Sequence, residues 1–494
     1  MKVSIDNRTP FLNDYYFQTL CLLYFPGEKF KADDDGFNRA SFSLAPLDGS
    51  GYSFKAECTL VSGGRSATGA FSGGYTPQIE MPAGEFFATN AIGKAFLQAG
   101  EKLFGFGLPW GYLSGLRPVK RAKYYLDKGC SPETVQNLFT RDYGASAEKA
   151  GLAVETALTE ERMLGSVFPK DCGIYVSIPF CPTRCDYCSF VSYSNKKLFD
   201  LIPDYLEKLC RDISLTGELV RELGMNPRAI YIGGGTPSIL EPAQIDALLS
   251  QIEKSFEIGA DTEYTFEGGR PDTLTDAKLK TVRGHGVNRI SINPQSTSDP
   301  VLLNIGRKHT AKDFFTAVET ARKYGFSCRN ADLIAGLPGD DGESFAKSIS
   351  VVLDCGFENI TVHTLSIKNA APIRFIGDGF YDPRGRFARE SVVYARKALA
   401  GHGLYPYYLY RQKNTVGNSE NTGFSRRGRE NLYNVLMMEE YSTVFACGAG
   451  AITKFVSPDR TLIARHAFPK YPFEYLREDK GIGREEALAF FGNA

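Results

Sequence analysis

Three cysteines carry the clearest chemical signal in this 494-residue chain. Cys181, Cys185 and Cys188 lie within Pro179-Phe-Cys-Pro-Thr-Arg-Cys-Asp-Tyr-Cys188, a C-x3-C-x2-C spacing. Thiolates this close in sequence can wrap one inorganic cluster, and Pro179 and Pro182 keep the segment out of a helix. A structural zinc site calls for a fourth ligand, usually from a second C-x2-C or a His pair, and the chain has no such partner motif. Three ligands therefore fit a [4Fe–4S] cluster with one iron left open for a substrate or cofactor. Cys172, nine residues upstream of Cys181, is a weak candidate for a fourth ligand. Cys21, Cys58, Cys130, Cys210, Cys328, Cys355 and Cys447 are scattered singly and read as buried thiols.

Strand ends further along the chain hold a second set of polar residues. Tyr231-Ile-Gly-Gly-Gly-Thr-Pro237 closes one apolar run, and glycines there let a backbone approach a ligand that side chains would block. Glu267, Gln295 and Asp332 sit at or near the ends of later runs, with Arg307 twelve residues after Gln295. The carboxylates suit ribose hydroxyls or an ammonium; Gln295 supplies donors, and Arg307 can grip a carboxylate with two parallel N–H bonds. Each alone is ordinary, but together at successive strand ends they read as a binding site.

The elements that must position these residues alternate regularly. Strand-like runs at 174–178, 229–232, 263–266, 288–292, 331–334 and 359–365 are separated by helical patterns at 203–223, 242–256, 275–283, 311–324, 343–354 and 385–401. Six strand-then-helix units predict an α/β fold with a parallel barrel, and six rather than eight units make it incomplete. In such folds chemistry gathers at the C-terminal ends of strands, and the cysteine loop follows the first. The expected organisation is an N-terminal α+β domain (1–115), a helical connector (116–170), a partial (β/α)6 barrel core (171–370) and a mostly helical, substrate-covering C-terminal extension (371–494). Within the first of these, residues 52–60 alternate and Gly63-Gly64 turns the chain, a hairpin signal. Arg117, Lys120, Arg121 and Lys123 read as solvated surface.

Composition narrows the class. The 57 Lys+Arg balance 57 Asp+Glu, which argues against a whole-chain nucleic-acid binder. An aromatic content of 13% does not fit a largely disordered chain. The greasy run at 17–25 contains Gln18 and Thr19 and falls short of the roughly 18 apolar residues that cross a bilayer. Residues 1–16 lack the layout of a signal peptide. The expected compartment is the cytosol, where the 11 cysteines stay thiols unless they bind metal.

The cysteine spacing, with Tyr187 before the third Cys, resembles the radical S-adenosylmethionine superfamily. Adding Ile174-Tyr-Val-Ser-Ile-Pro-Phe-Cys181, Gly233 to Pro237, Gly286-Val-Asn-Arg-Ile-Ser-Ile292 and Asp332-Leu-Ile-Ala-Gly-Leu-Pro-Gly339 narrows the resemblance to the oxygen-independent coproporphyrinogen III dehydrogenases (oxidases) over about residues 172–455. Leu108-Pro-Trp-Gly upstream and Tyr407-Tyr-Leu-Tyr-Arg-Gln-Lys413 downstream make it look most like the longer HemZ branch. The resemblance implies a [4Fe–4S] cluster on Cys181, Cys185 and Cys188 and one or two S-adenosylmethionine molecules. It implies first-cofactor contacts from Tyr175, Gly234, Glu267 and Ile452, and second-cofactor contacts from Tyr187, Gly235, Thr236, Gln295, Arg307 and Asp332. It further implies a tetrapyrrole substrate, an electron donor such as a flavodoxin or ferredoxin, and conversion of two propionates of coproporphyrinogen III to vinyl groups. No general acid/base pair needs to be posited.

Two departures are visible. Cys188 continues into Ser-Phe190, as in the related haem chaperones, rather than into the Cys-x-Cys of the dehydrogenases. Those chaperones carry a His-Asn pair before an aromatic where this chain has Glu430-Asn-Leu-Tyr433, which argues against haem ligation through that position. Finally, ten Lys/Arg face four acids between Asp382 and Glu430, with Tyr405, Tyr407, Tyr408 and Tyr410 interleaved. Guanidinium forks and aromatic platforms would suit a ring bearing propionates; a solvated basic loop and RNA binding are the competing readings.

Overall fold

Alternating apolar residues build the first sheet. In the computed structural model, which describes residues 1–31, 36–74, 83–115, 117–188, 193–194, 196–367, 371, 373 and 385–492, β1 (Lys2–Asn7) leads through α1 (Asp14–Tyr24) to β2 (Arg39–Pro46). β3 (Ser53–Ser62) and β4 (Arg65–Gly74) follow, in the order β1-β2-β3-β4, with only the first pair parallel. The hairpin lies where the sequence places it: Gly63 (φ 55°) and Gly64 (φ 76°) supply the two positive φ angles of a two-residue turn. Phe42, Leu44, Phe54, Ala56, Cys58 and Leu60 face the core, and α2 (Glu85–Phe104) packs so closely that a Cβ on Gly69 would meet Ala95 O at 2.1 Å. Then come α3 (Pro118–Asp127), α4 (Pro132–Tyr143) and α5 (Ala147–Leu164). Met1–Leu158 with Tyr410–Ser419 form one compact unit; Thr159–Leu409 with Glu420–Ala494 form the other.

The second unit holds the six expected strands. β5 (Asp171–Ile178), β6 (Asn226–Gly234), β7 (Glu263–Glu267), β8 (Arg289–Ser291), β9 (Cys328–Ala335) and β10 (Asn359–Thr364) pair in sequence order, each parallel to the next. Parallel pairing needs a crossover, and helices supply it: α6 (Lys196–Phe199) and α7 (Ile202–Glu222), α8 (Pro242–Ser255), α9 (Asp276–Gly284), α10 (Asp299–Asn304) and α11 (Ala311–Arg322), and α12 (Gly342–Asp354). Ser, Thr or Asp side chains start several of them, as when Thr275 accepts from Lys278 N and Asp341 from Ser344 N.

The strands are two-faced. Ile174, Val176, Ile230, Ile232, Tyr264, Phe266, Ile290, Ala331, Leu333, Ile360 and Val362 are buried in one apolar cluster with the helices. Burying each of the larger side chains stabilises the fold by roughly 1.5–3 kcal/mol. The alternate residues, Tyr175, Ser177, Tyr231, Thr265, Glu267, Arg289, Ser291, Asn330, Asp332, Asn359 and Thr361, form a polar inner face. Strands of a parallel sheet with both faces packed read as continuous apolar runs, so this alternation marks a lined interior.

After α13 (Arg386–Gly401) the chain departs from the expected mostly helical extension. It adds β11 (Tyr405–Arg411), β12 (Glu420–Ser425), α14 (Leu432–Glu439), β13 (Val444–Cys447), β14 (Ile452–Val456), β15 (Ile463–Ala467), α15 (Pro472–Arg477) and α16 (Arg484–Gly492). The strands extend the sheet at both sides, in the order β11-β12-β10-β9-β8-β7-β6-β5-β13-β14-β15, so the barrel is partial and the sheet open. The physical reason is that edge strands β5 and β10 still expose backbone N–H and C=O groups, which β13 and β12 satisfy. Among the described residues, no helix is long and apolar enough to cross a membrane.

Candidate cofactor site at the strand ends

The cysteine loop leaves the C-terminal end of β5. Cys181 N donates to Tyr193 O at 3.0 Å and Tyr193 N to Pro179 O at 3.0 Å, which closes the base of the loop. Cys181 and Cys185 are buried, Cys188 half-buried, and Cys188 N donates to Cys185 O at 3.1 Å. Among the described residues no three His, Cys, Asp or Glu side chains lie close enough to hold a metal ion. Cys172 is set apart: its thiol is in the apolar cluster on the opposite face of β5, and burial pushes its pKa up.

The triple glycine wraps the end of β6 around this loop. Gly235 N donates to Ile178 O and Thr236 N to Phe180 O, each at 2.8 Å. A Cβ on Gly235 would meet Phe180 O at 2.6 Å and Cys181 Sγ at 2.9 Å, and one on Gly233 would meet Glu267 Oε2 at 2.6 Å. Gly234 has φ 115°, which a side chain would strain. Thr236 is buried, its hydroxyl 3.4 Å from Cys181 Sγ.

Arg307 reaches the same loop from the segment after α10. Buried itself, it donates through Nη1 to Tyr187 OH at 3.0 Å and Cys185 Sγ at 3.6 Å, and through Nη2 to Asn293 O at 2.6 Å. Gln295 beside it adopts φ 66°, pinned by Gln295 N to Asp332 O (2.9 Å) and Ile334 N to Gln295 O (3.0 Å). Such a conformation costs a non-glycine residue of order 1–3 kcal/mol. Asn293 Oδ1 and Gln295 Oε1 are buried without hydrogen-bond partners.

Glu267 and Asp332 divide the proton between them unequally. Burial first, then the nearby Asp332 charge, pushes the Glu267 carboxyl up to about 8, against hydrogen bonds from Tyr231 and Gly234. Burial also raises Asp332, but the neighbouring His363 and the hydrogen bond from Asn330 Nδ2 at 2.8 Å outweigh it and hold that carboxylate below its usual range. His363 Nε2 lies 3.7 Å from Asp332 Oδ2. Below Glu267, Tyr175 and Tyr231 stack with Tyr433 of α14 at centroid distances of 5.9 and 4.6 Å.

Cys181, Cys185, Tyr187, Gly235, Thr236 and Arg307 are thus joined by contacts, as are Glu267, Gly234 and Tyr231, and Gln295 and Asp332. Ile452 stands apart: it opens β14, pairs with Ala467 of β15 and is 48% exposed. The basic stretch does not form one platform. Tyr407 and Tyr408 are buried, Arg411 donates to Leu113 O and lies over Trp110, and Asp382 and Arg384 fall outside the described residues. Sequence reasoning missed His363, His309 and the Tyr231–Tyr433 stack. Tyr231, two residues before the first of the glycines, was the available signal.

A model of the radical SAM superfamily matches residues 175–352. An oxygen-independent coproporphyrinogen-III oxidase-like protein HemZ of Bacillus subtilis is 36% identical over 78% of this chain and 78% of its own length. The chain belongs to that radical SAM family. A heme chaperone HemW of Bacillus subtilis is 30% identical over 56% of the chain and 69% of its own length. The solved structure of coproporphyrinogen III oxidase (HemN) from Escherichia coli, described as a radical SAM enzyme, shares the fold with TM-score 0.52 and 23% identity, over 66% of this chain and 73% of that one.

The cofactors of this family are a [4Fe–4S] cluster and S-adenosylmethionine. The residue types present fit both, although the three thiols are not drawn together around one point. Three thiols in one loop are a donor set for iron, the glycine turn leaves a cradle beside Cys181 that a Cβ would fill, and the orphaned Asn293 and Gln295 oxygens offer acceptors to a polar ligand.

Proposed function

We propose that this radical SAM enzyme decarboxylates two propionate side chains of coproporphyrinogen III to vinyl groups, giving protoporphyrinogen IX without oxygen. The observation that supports it is the gathering of a three-cysteine loop, a glycine turn and a polar inner face at one set of strand ends, in a chain 36% identical over 78% of its length to a HemZ protein. Cys181, Cys185 and Cys188 would hold the cluster. Tyr175, Gly234, Glu267 and Ile452 would contact one S-adenosylmethionine; Tyr187, Gly235, Thr236, Gln295, Arg307 and Asp332 would contact a second.

When bound, the cluster and S-adenosylmethionine supply a 5′-deoxyadenosyl radical. The chain's own residues bind and orient. Arg307 carries a full positive charge beside Cys185 and Tyr187, suited to a carboxylate. The Glu267 carboxyl, raised to about 8 by burial and the nearby Asp332 charge, can release its proton to solvent and pair as a carboxylate with an ammonium. Each propionate loses a β-hydrogen atom to the deoxyadenosyl radical, then carbon dioxide and one electron, which passes to an external one-electron acceptor. A flavodoxin or ferredoxin in the cytosol would reduce the cluster.

The test is anaerobic reconstitution of the cluster, followed by mass analysis of coproporphyrinogen III and of 5′-deoxyadenosine. Loss of two carboxyl groups with deoxyadenosine formation is the expected result. Tight stoichiometric haem binding without turnover would favour the chaperone reading, for which the HemW similarity and Cys188-Ser-Phe190 speak. Deoxyadenosine without decarboxylation would point to another tetrapyrrole or RNA as substrate.

A further inference from the structure

Behind Arg307 lies a histidine that none of the proposed cofactor contacts uses. His309 follows Arg307 by two residues, just before Thr310 caps α11, and is 2% exposed. Arg307 Nε donates to His309 Nδ1 at 3.2 Å, which leaves the ring proton on Nε2. That Nε2 is buried without a partner.

We infer that His309 is a positioning residue that takes the Nε–H of Arg307 and so aims the Nη1 edge of the guanidinium at Tyr187 and Cys185. This deepens the cofactor reading and rests on Arg307 being a cofactor contact. A guanidinium has five N–H donors in a fixed plane, so fixing Nε and Nη2 fixes the direction of Nη1. Asn293 O holds Nη2 and His309 holds Nε. The charged groups around the ring are Asp272 and Arg270 from the segment after β7, Asp313 of α11 and Arg307 itself. Asp272 is already engaged by Arg270, through Nε at 2.9 Å and Nη2 at 2.7 Å.

The choice of imidazole has a physical reason. A carboxylate at this place would also accept the Nε–H, but it would neutralise the guanidinium and weaken its pull on an anionic ligand. A neutral acceptor orients Arg307 and leaves its whole charge facing the cysteine loop. Burial first, then the Arg307 charge, lowers the His309 pKa to about 3, which is consistent with a neutral ring.

The experiment compares His309→Leu, His309→Gln, His309→Glu and Arg307→Gln in the reconstituted full chain. S-adenosylmethionine affinity and stoichiometry are measured by anaerobic equilibrium dialysis, and the reduced cluster is followed by electron paramagnetic resonance; iron content and melting temperature report intact folding. His309→Leu is expected to weaken binding roughly tenfold, as removal of an outer-sphere partner does, and to shift the cluster signal. His309→Gln keeps a neutral acceptor and should stay within about threefold of the parent. His309→Glu should bind weakly although it can still accept. If Arg307→Gln loses a cofactor and His309→Leu does not, the inference fails while the cofactor reading stands. If His309→Gln falls as far as His309→Leu, the role is packing and the inference fails. If Arg307→Gln binds normally, the Arg307 reading falls and the inference with it.

Discussion

Tyr433 of α14 lies on Tyr231 of β6 with ring centroids 4.6 Å apart and planes inclined by 19°. The stack holds because Glu263 of β7 accepts from the first helical amides of α14, Leu432 N at 2.8 Å and Tyr433 N at 2.9 Å. A carboxylate at a helix start satisfies orphan donors and the dipole together. Arg289, 3.6 Å from Glu263, keeps that buried charge paired. Tyr231 in turn favours the ionised form of Glu267 against the pull of burial, so the tyrosine floor reaches the strand-end carboxylate.

Replacing Tyr433 with Ala should therefore cost about 3 kcal/mol of stability, the loss of a large buried ring plus its stacking. Tyr433→Phe keeps the ring and should cost less than about 1 kcal/mol. Denaturant unfolding of both variants checks this. Equal stabilities would mean that the stack is incidental.

Glu267 gives the fold a definite pH dependence. Its carboxyl titrates near 4.5 in the unfolded chain and about 8 in the folded one. A raised folded value means that the folded chain holds the proton longer. The stability supported by that proton is fully present below pH 4.5, declines as the pH rises, and is gone above about 8. Glu267→Gln cannot lose a proton, so its stability relative to the parent should improve between pH 6 and pH 9. Unfolding curves at the two pH values decide it; parallel behaviour of the two proteins would contradict the assignment.

Gly235 is the tightest point between the glycine turn and the cysteine loop. A Cβ there would sit 2.6 Å from Phe180 O and 2.9 Å from Cys181 Sγ, so Gly235→Ala must displace one of them. The expected outcome is a folded protein that retains less than half of the parent's iron after anaerobic reconstitution, read by iron analysis beside circular dichroism. Full iron retention would show that the loop moves freely past the turn.

Much of this was legible. The six strands and their crossover helices follow from period and length, and the cysteine loop and glycine turn stand where the strand-end rule expects them. The edge strands were not, because Tyr405–Arg411 is buried on both faces over most of its length and carries no alternation to read. The polar inner face could have been read and was not: Glu263-Tyr-Thr-Phe-Glu267 alternates in plain view. The Tyr433 stack depends on α14 crossing from far along the chain, a contact that no local pattern encodes.

The central claim is that a radical generated at this site takes hydrogen from a propionate β-carbon. Coproporphyrinogen III deuterated at those carbons, turned over anaerobically with the reconstituted chain, tests it most directly. The account predicts one deuterium in each 5′-deoxyadenosine recovered and vinyl groups in the porphyrinogen. Deoxyadenosine without deuterium, from a substrate left intact, would contradict it.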